Sequence, residues 1–290
     1  DDVVDEANLK VSNSPTNGYA LTAQSGNTGG LTWAEIEGGV SSDAQENTVA
    51  GTNAGDSFSG TDALRNTLIG YNAGTAITTG DDNTAIGREA LKSATSDINN
   101  TAVGKGALTD CTCSNNTAIG YNSMLVQTEA HSSTAVGAYA LDALTDGTYN
   151  VAVGKDASGA CTTGFGNASF GSEAGETITT GDMNTCLGHN AGKKITEGSH
   201  NIAIGKAFDH NTCTGTYNIG IGASSCGDIT SGGYNICIGD QAGKQVTTGT
   251  HNVFVGYQAG VSKNGTYNIG IGTECCSGGD SDHAIGIGYH

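Results

Sequence analysis

Asn218-Ile219-Gly220-Ile221-Gly222 is one copy of a five-residue pattern that runs along most of the chain. The order is Asn, then Thr, Ile or Val, then a small residue, then an aliphatic one, then Gly. It recurs as Asn66-Thr67-Leu68-Ile69-Gly70, Asn83-Thr84-Ala85-Ile86-Gly87, Asn150-Val151-Ala152-Val153-Gly154 and Asn201-Ile202-Ala203-Ile204-Gly205. The closing glycines are Gly51, Gly70, Gly87, Gly104, Gly120, Gly137, Gly154, Gly171, Gly188, Gly205, Gly222, Gly239, Gly256 and Gly272. Most of them lie 17 residues apart, and Ala284-Ile285-Gly286-Ile287-Gly288 supplies a fifteenth copy. So short a fixed period belongs to stacked rungs rather than to a globular core. It predicts an all-β solenoid, a β-roll of about 15 rungs over residues 46–290.

Each rung reads as two short strands and two turns. The residues three and one before the glycine share one face of the first strand, and the small residue between them points the other way. Apolar bulk on one face and small size on the other predict a strand buried on both sides. A second strand is expected at Ile77-Thr78-Thr79-Gly80, Ile178-Thr179-Thr180-Gly181 and Val246-Thr247-Thr248-Gly249, with Ala-Gly or Ala-Leu corners between. A rung this small closes either within one chain or as one flat layer of three chains around a shared axis.

The Asn four before each glycine forms a column: Asn66, Asn83, Asn100, Asn116, Asn150, Asn167, Asn184, Asn201, Asn218, Asn235, Asn252 and Asn268, with Ser133 as the exception. Stacked at about 4.8 Å, such a column can hydrogen-bond along its own ladder, and Asn tolerates a left-handed bend. The role expected of it is structural, as is that of the turn glycines.

Residues 1–45 do not follow the repeat. Leu9-Lys10-Val11 and Tyr19-Ala20-Leu21-Thr22-Ala23 are expected strands, with turn residues Asn13 to Gly18 between them, and Leu31 to Ile36 carries the one Trp. A small β module is expected here, docked on the first rung or on a neighbouring chain.

A net charge of −18 and the lack of a basic patch exclude a nucleic-acid partner. No apolar run approaches the ~20 residues that span a membrane as a helix. Nine cysteines cannot all pair within one chain. Cys186 and Cys237 occupy the small strand position and Cys111 and Cys161 a second core position, so all four read as buried hydrophobes. Cys113, Cys213, Cys226, Cys275 and Cys276 are less regular, and their pairing stays open. No cofactor is expected. Calcium at the turn carboxylates Asp81-Asp82 and Asp280/Asp282 is the weaker alternative to solvated turns. His200 and His251 share a rung position three rungs apart, too far for one metal. No Ser/His/Asp trio can be placed, and enzymatic activity is not expected. Thr78-Thr79, Thr179-Thr180 and Thr247-Thr248 raise an ice-binding face as a remote alternative, but Glu197, Gln127 and Asp146 break the column.

The run Asn116-Thr117-Ala118-Ile119-Gly120-Tyr121-Asn122, with its Ala-Leu or Ala-Gly corners and Thr-Thr-Gly turns, resembles repeats of phage tail-fibre proteins, many of which end in a self-cleaving intramolecular chaperone. It is similar also to the head repeats of trimeric autotransporter adhesins, which form trimeric left-handed β-rolls from shorter repeats. The resemblance covers about residues 47–290, and Leu9 to Asn13 with Gly29 to Trp33 looks like modules of marine phage fibres. It implies a parallel homotrimer, a location on the virion or outside the cell, and a rigid rod that reaches for a cell-surface receptor or glycan. The other expectations are a surface adhesin, or a filament whose subunits dock end to end through residues 1–45. A chaperone cut away after His290, or a subunit stacked there, would cover the last rung's edges.

Overall fold

The computed structural model describes residues 19–23, 31–35, 41–262 and 264–289. Tyr19–Ala23 is a strand, as expected, and pairs antiparallel with Leu31–Glu35. The expected strand at Leu9 to Val11, and the turn after it, lie outside the described residues.

From Ser41 onward the described residues carry one continuous 16-stranded sheet and one two-stranded sheet, and no helix occurs among them. Ser41–Ser42 runs antiparallel to Thr48–Ala50, which starts a parallel series in unbroken register to Ile285–Ile287. Each strand is three residues long, and like positions stack: Thr67 on Thr84, Ala85 on Ala102, Ile219 on Ile236. The chain is therefore a parallel β-solenoid of about 14 turns at 17-residue spacing, roughly 65 Å long at the usual strand separation. Each rung closes within the one chain. The second-strand positions are mostly turns; only Asp110–Cys111 and Val126–Gln127 pair there as strands.

The expected burial of the first strand on both faces is corrected. The middle residue is fully buried, whereas its flanking neighbours face outward and are half-buried or exposed. A 17-residue rung has too little cross-section for two aliphatic columns inside, so the small residue takes the interior.

The core follows a compensation between two positions, the strand centre and the corner residue six further on. Where the centre is large the corner is glycine, as in Leu68/Gly74 and Phe254/Gly260; in several rungs where it is small the corner is large, as in Ala85/Leu91, Ala118/Met124 and, five residues apart in a rung with a shortened corner, Ala203/Phe208, whereas Ala152/Ser158 pairs two small residues. The reason is contact. A Cβ on Gly74 would lie 2.7 Å from Leu68, and one on Gly220 would lie 2.8 Å from the Phe208 ring. Close packing tolerates neither overlap nor void, so in these rungs the two positions trade volume. The apolar core runs in two stretches, Ala54 to Cys161 and Ala174 to Ala259. Between them Ser158 Oγ lies 2.7 Å from Ser169 Oγ across the interior.

The glycine column has a separate cause. Gly137 sits at φ 140°, and a Cβ there would lie 2.4 Å from the Gly154 carbonyl oxygen of the next rung. Both the left-handed conformation and the axial contact require glycine.

Candidate functional surface

The Asn ladder lies inside the molecule and its role is closure. Asn218 Nδ2 donates to the Gly232 carbonyl at 2.9 Å, tying the end of its own rung back to its start. Its Oδ1 accepts the Asn235 backbone N–H and Asn235 Nδ2, both at 3.0 Å. The same set recurs at Asn66, Asn167, Asn184, Asn201, Asn235 and Asn252, all buried. Ser133 substitutes in part: its Oγ accepts the Asn150 N–H at 3.1 Å. The left-handed residue is not the Asn, as expected, but the one before it, such as Tyr217 (φ 58°) or His251 (φ 58°).

With the Asn column inside, two outward columns define the exposed sheet face. One carries Ile86, Ile119, Phe170, Leu187, Ile238 and Ile271, exposed by 37–48%. The other is threonine in the early rungs, Thr67 to Thr134, and mostly isoleucine or valine from Val151 onward. The face thus turns from mixed to aliphatic along the rod. The sequence places these residues in the interior because both faces of the strand are restricted, one by apolar bulk and one by size.

A third column borders this face at the left-handed position. His200, Tyr217, Tyr234, His251, Tyr267 and His283 stack ring on ring, with centroids 4.6–5.2 Å apart. Planes nearly parallel, at 3–25°, leave the ring edges and the tyrosine hydroxyls to face outward. In earlier rungs the same column reads Arg65, Asp82, Asn99, Asn115 and Ser132. The sequence signal of this column is Tyr or His directly before the repeat Asn, or before Ala284 in the last rung, and His200 and His251 are two of its members.

The turn carboxylates are engaged with protein donors. Asp81 accepts the Leu64 N–H at 2.8 Å, and Asp282 accepts the Thr266 N–H at 2.7 Å. Arg65 donates to both oxygens of Asp82, and that hydrogen bond holds the exposed Asp82 carboxyl below the usual range. Among the described residues no group of three or more His, Cys, Asp or Glu side chains is placed to hold a metal ion. Cys237 is corrected from a plain core residue: it is disulfide-bonded to Cys226. This bond occupies the two rung positions that Ser158 and Ser169 occupy four rungs earlier.

No protein-family model and no curated protein matches this sequence. What the fold defines is a class, the parallel β-solenoid rod.

Proposed function

We propose that the chain is the shaft of an extracellular or virion-borne fibre, assembled as a parallel homotrimer through its aliphatic sheet face. The observation that carries this reading is the pair of outward columns, because water-exposed aliphatic ladders of this length ordinarily mark a binding surface. Two columns over 14 turns present on the order of 700 Å², close to the ~800 Å² that each partner contributes to a stable interface. Parallel, in-register copies set threonine rungs against threonine rungs and isoleucine rungs against isoleucine rungs. The acidic remainder of the surface keeps such rods apart, and the resemblance to tail-fibre repeats supplies the role of reaching for a receptor or glycan. Of the irregular cysteines, Cys113, Cys213 and Cys226 are fully buried, which weighs against a filament linked through them, while Cys275 is buried and Cys276 half-buried.

Solution mass by sedimentation or light scattering tests the reading. A species of three times 28.9 kDa that falls to a monomer on Ile221→Glu and Ile238→Glu supports it. A monomeric native chain overturns the assembly.

A further inference from the structure

One rung breaks the repeat. After Gly205 the first corner is a residue short: Ala207 takes the place held by Ala191 and Ser225, and its carbonyl accepts the Gly192 N–H at 3.0 Å as theirs accept the equivalent donors. The loss is made up directly afterwards, before Cys213 rejoins the stack opposite Ile195. The extra residues include Asp209 and His210, which lie over the next rung's corner. The backbone there is pinned. His210 N–H donates to the Gly227 carbonyl at 3.1 Å, Ser224 N–H to Lys206 at 2.9 Å, and Asp228 N–H to Lys244 at 2.8 Å.

Three side chains meet as a result. His210 Nδ1 lies 2.9 Å from Asp228 Oδ1, and His210 Nε2 lies 3.5 Å from Ser224 Oγ. A fourth group backs them. Asp209 is only 2% exposed; its Oδ2 is 3.4 Å from both Ser224 Oγ and Lys206 Nζ, and its Oδ1 lies 3.5 Å from His210 Nε2, so a carboxylate faces each imidazole nitrogen. The imidazole is 35% exposed, so the group can be reached from outside.

We propose that Ser224, His210 and Asp228 form a nucleophilic relay, an ester-cleaving site carried on the rod. The arrangement has the two contacts a serine relay needs, a hydroxyl at one imidazole nitrogen and a carboxylate fixing the other, with Asp209 Oδ1 as a second neighbour of the hydroxyl's nitrogen. The Ser–His separation is that of an unengaged site, which shortens once a substrate draws the hydroxyl away from a competing acceptor. Here the competitor is Asp209, whose charge Lys206 offsets. In the reaction Ser224 Oγ adds to the ester carbonyl carbon while its proton passes to His210 Nε2. The carbon–oxygen bond to the alcohol then breaks, and the alcohol leaves with that proton. Water, deprotonated by the same nitrogen, releases the carboxylic acid and restores the hydroxyl. A site on an outer corner suits a small acyl group projecting from a large polymer, rather than a ligand that must be enveloped.

The test uses the full chain, a fluorophosphonate probe and p-nitrophenyl acetate. The expected result is one adduct, mapped by peptide mass to Ser224, with labelling and ester hydrolysis each falling at least about tenfold in Ser224→Ala and His210→Gln. Mapping on the unmodified protein requires no variant to fold, and far-UV circular dichroism checks those that are made. No adduct, an adduct elsewhere, or Ser224 labelling that His210→Gln leaves unchanged overturns the proposal.

Discussion

Phe254 fills the space that a side chain on Gly260 would need: a Cβ built on Gly260 would lie 2.3 Å from the ring. The pair is one setting of the compensation that runs the length of the core. Gly260→Leu should therefore destabilise the rod by about 1–3 kcal/mol through overpacking. Phe254→Ala should cost about 3–5 kcal/mol through the cavity it leaves. The double variant reproduces the Ala85/Leu91 setting and should recover most of both losses. Denaturant titration of the three variants checks this, and strict additivity would sink it.

Asn218→Ala removes a side chain that makes contacts above, below and within its rung. It strands the Gly232 carbonyl and the Asn235 N–H inside the molecule. At about 1–3 kcal/mol for each orphaned group, the expected loss is roughly 2–6 kcal/mol in chemical unfolding. Asn218→Ser should be milder, since the Ser133 hydroxyl already accepts the next rung's N–H.

Stability should fall at alkaline pH through buried thiols. Burial pushes Cys161, Cys186 and Cys213 up to about 12. A folded value above the unfolded one, ordinarily near 8.5, means the contribution is complete below that unfolded value. It is then lost as pH rises toward 12. At pH 10 the loss is about 2 kcal/mol per thiol. Cys186→Ala should flatten the decline measured between pH 8 and 11, and an unchanged slope would refute the assignment.

The ring column should have an optical signature. Tyr217 and Tyr234 stack at 4.9 Å and 9°, so Tyr234→Leu should abolish a large part of the near-ultraviolet circular dichroism. The far-ultraviolet β signal should stay. Loss of both together would mean that the column holds the sheet rather than decorating it.

The period was legible because each rung repeats its own constraints: glycine at the axial contact, Asn at the closure, a strand between. The direction in which the strand faces was not legible. Val151-Ala152-Val153 has the alternation that ordinarily turns valine inward, and only the small cross-section of a single-chain rung reverses it. The compensation was written in the sequence as well, since Leu68 precedes Gly74 and Ala85 precedes Leu91. It needs the six-residue pairing to be known before it can be read. The meeting of His210, Ser224 and Asp228 could not be foreseen. It depends on where a shortened corner and a lengthened turn bring the chain back into register.

Strands that lie across the rod give it an unusual response to tension. A pull between the two ends loads the hydrogen bonds of one rung at a time, as in opening a zipper, and each release frees 17 residues. At about 3.4 Å per extended residue that is nearly 60 Å of slack for one rung spacing lost, so the rod would yield in many small, equal steps. The covalent strap between Cys226 and Cys237 interrupts the sequence: the residues between them, across a separation of 11, stay out of the pulled length. In a single-molecule trace that rung would appear as one short step among long ones, and reductant would restore it to full length.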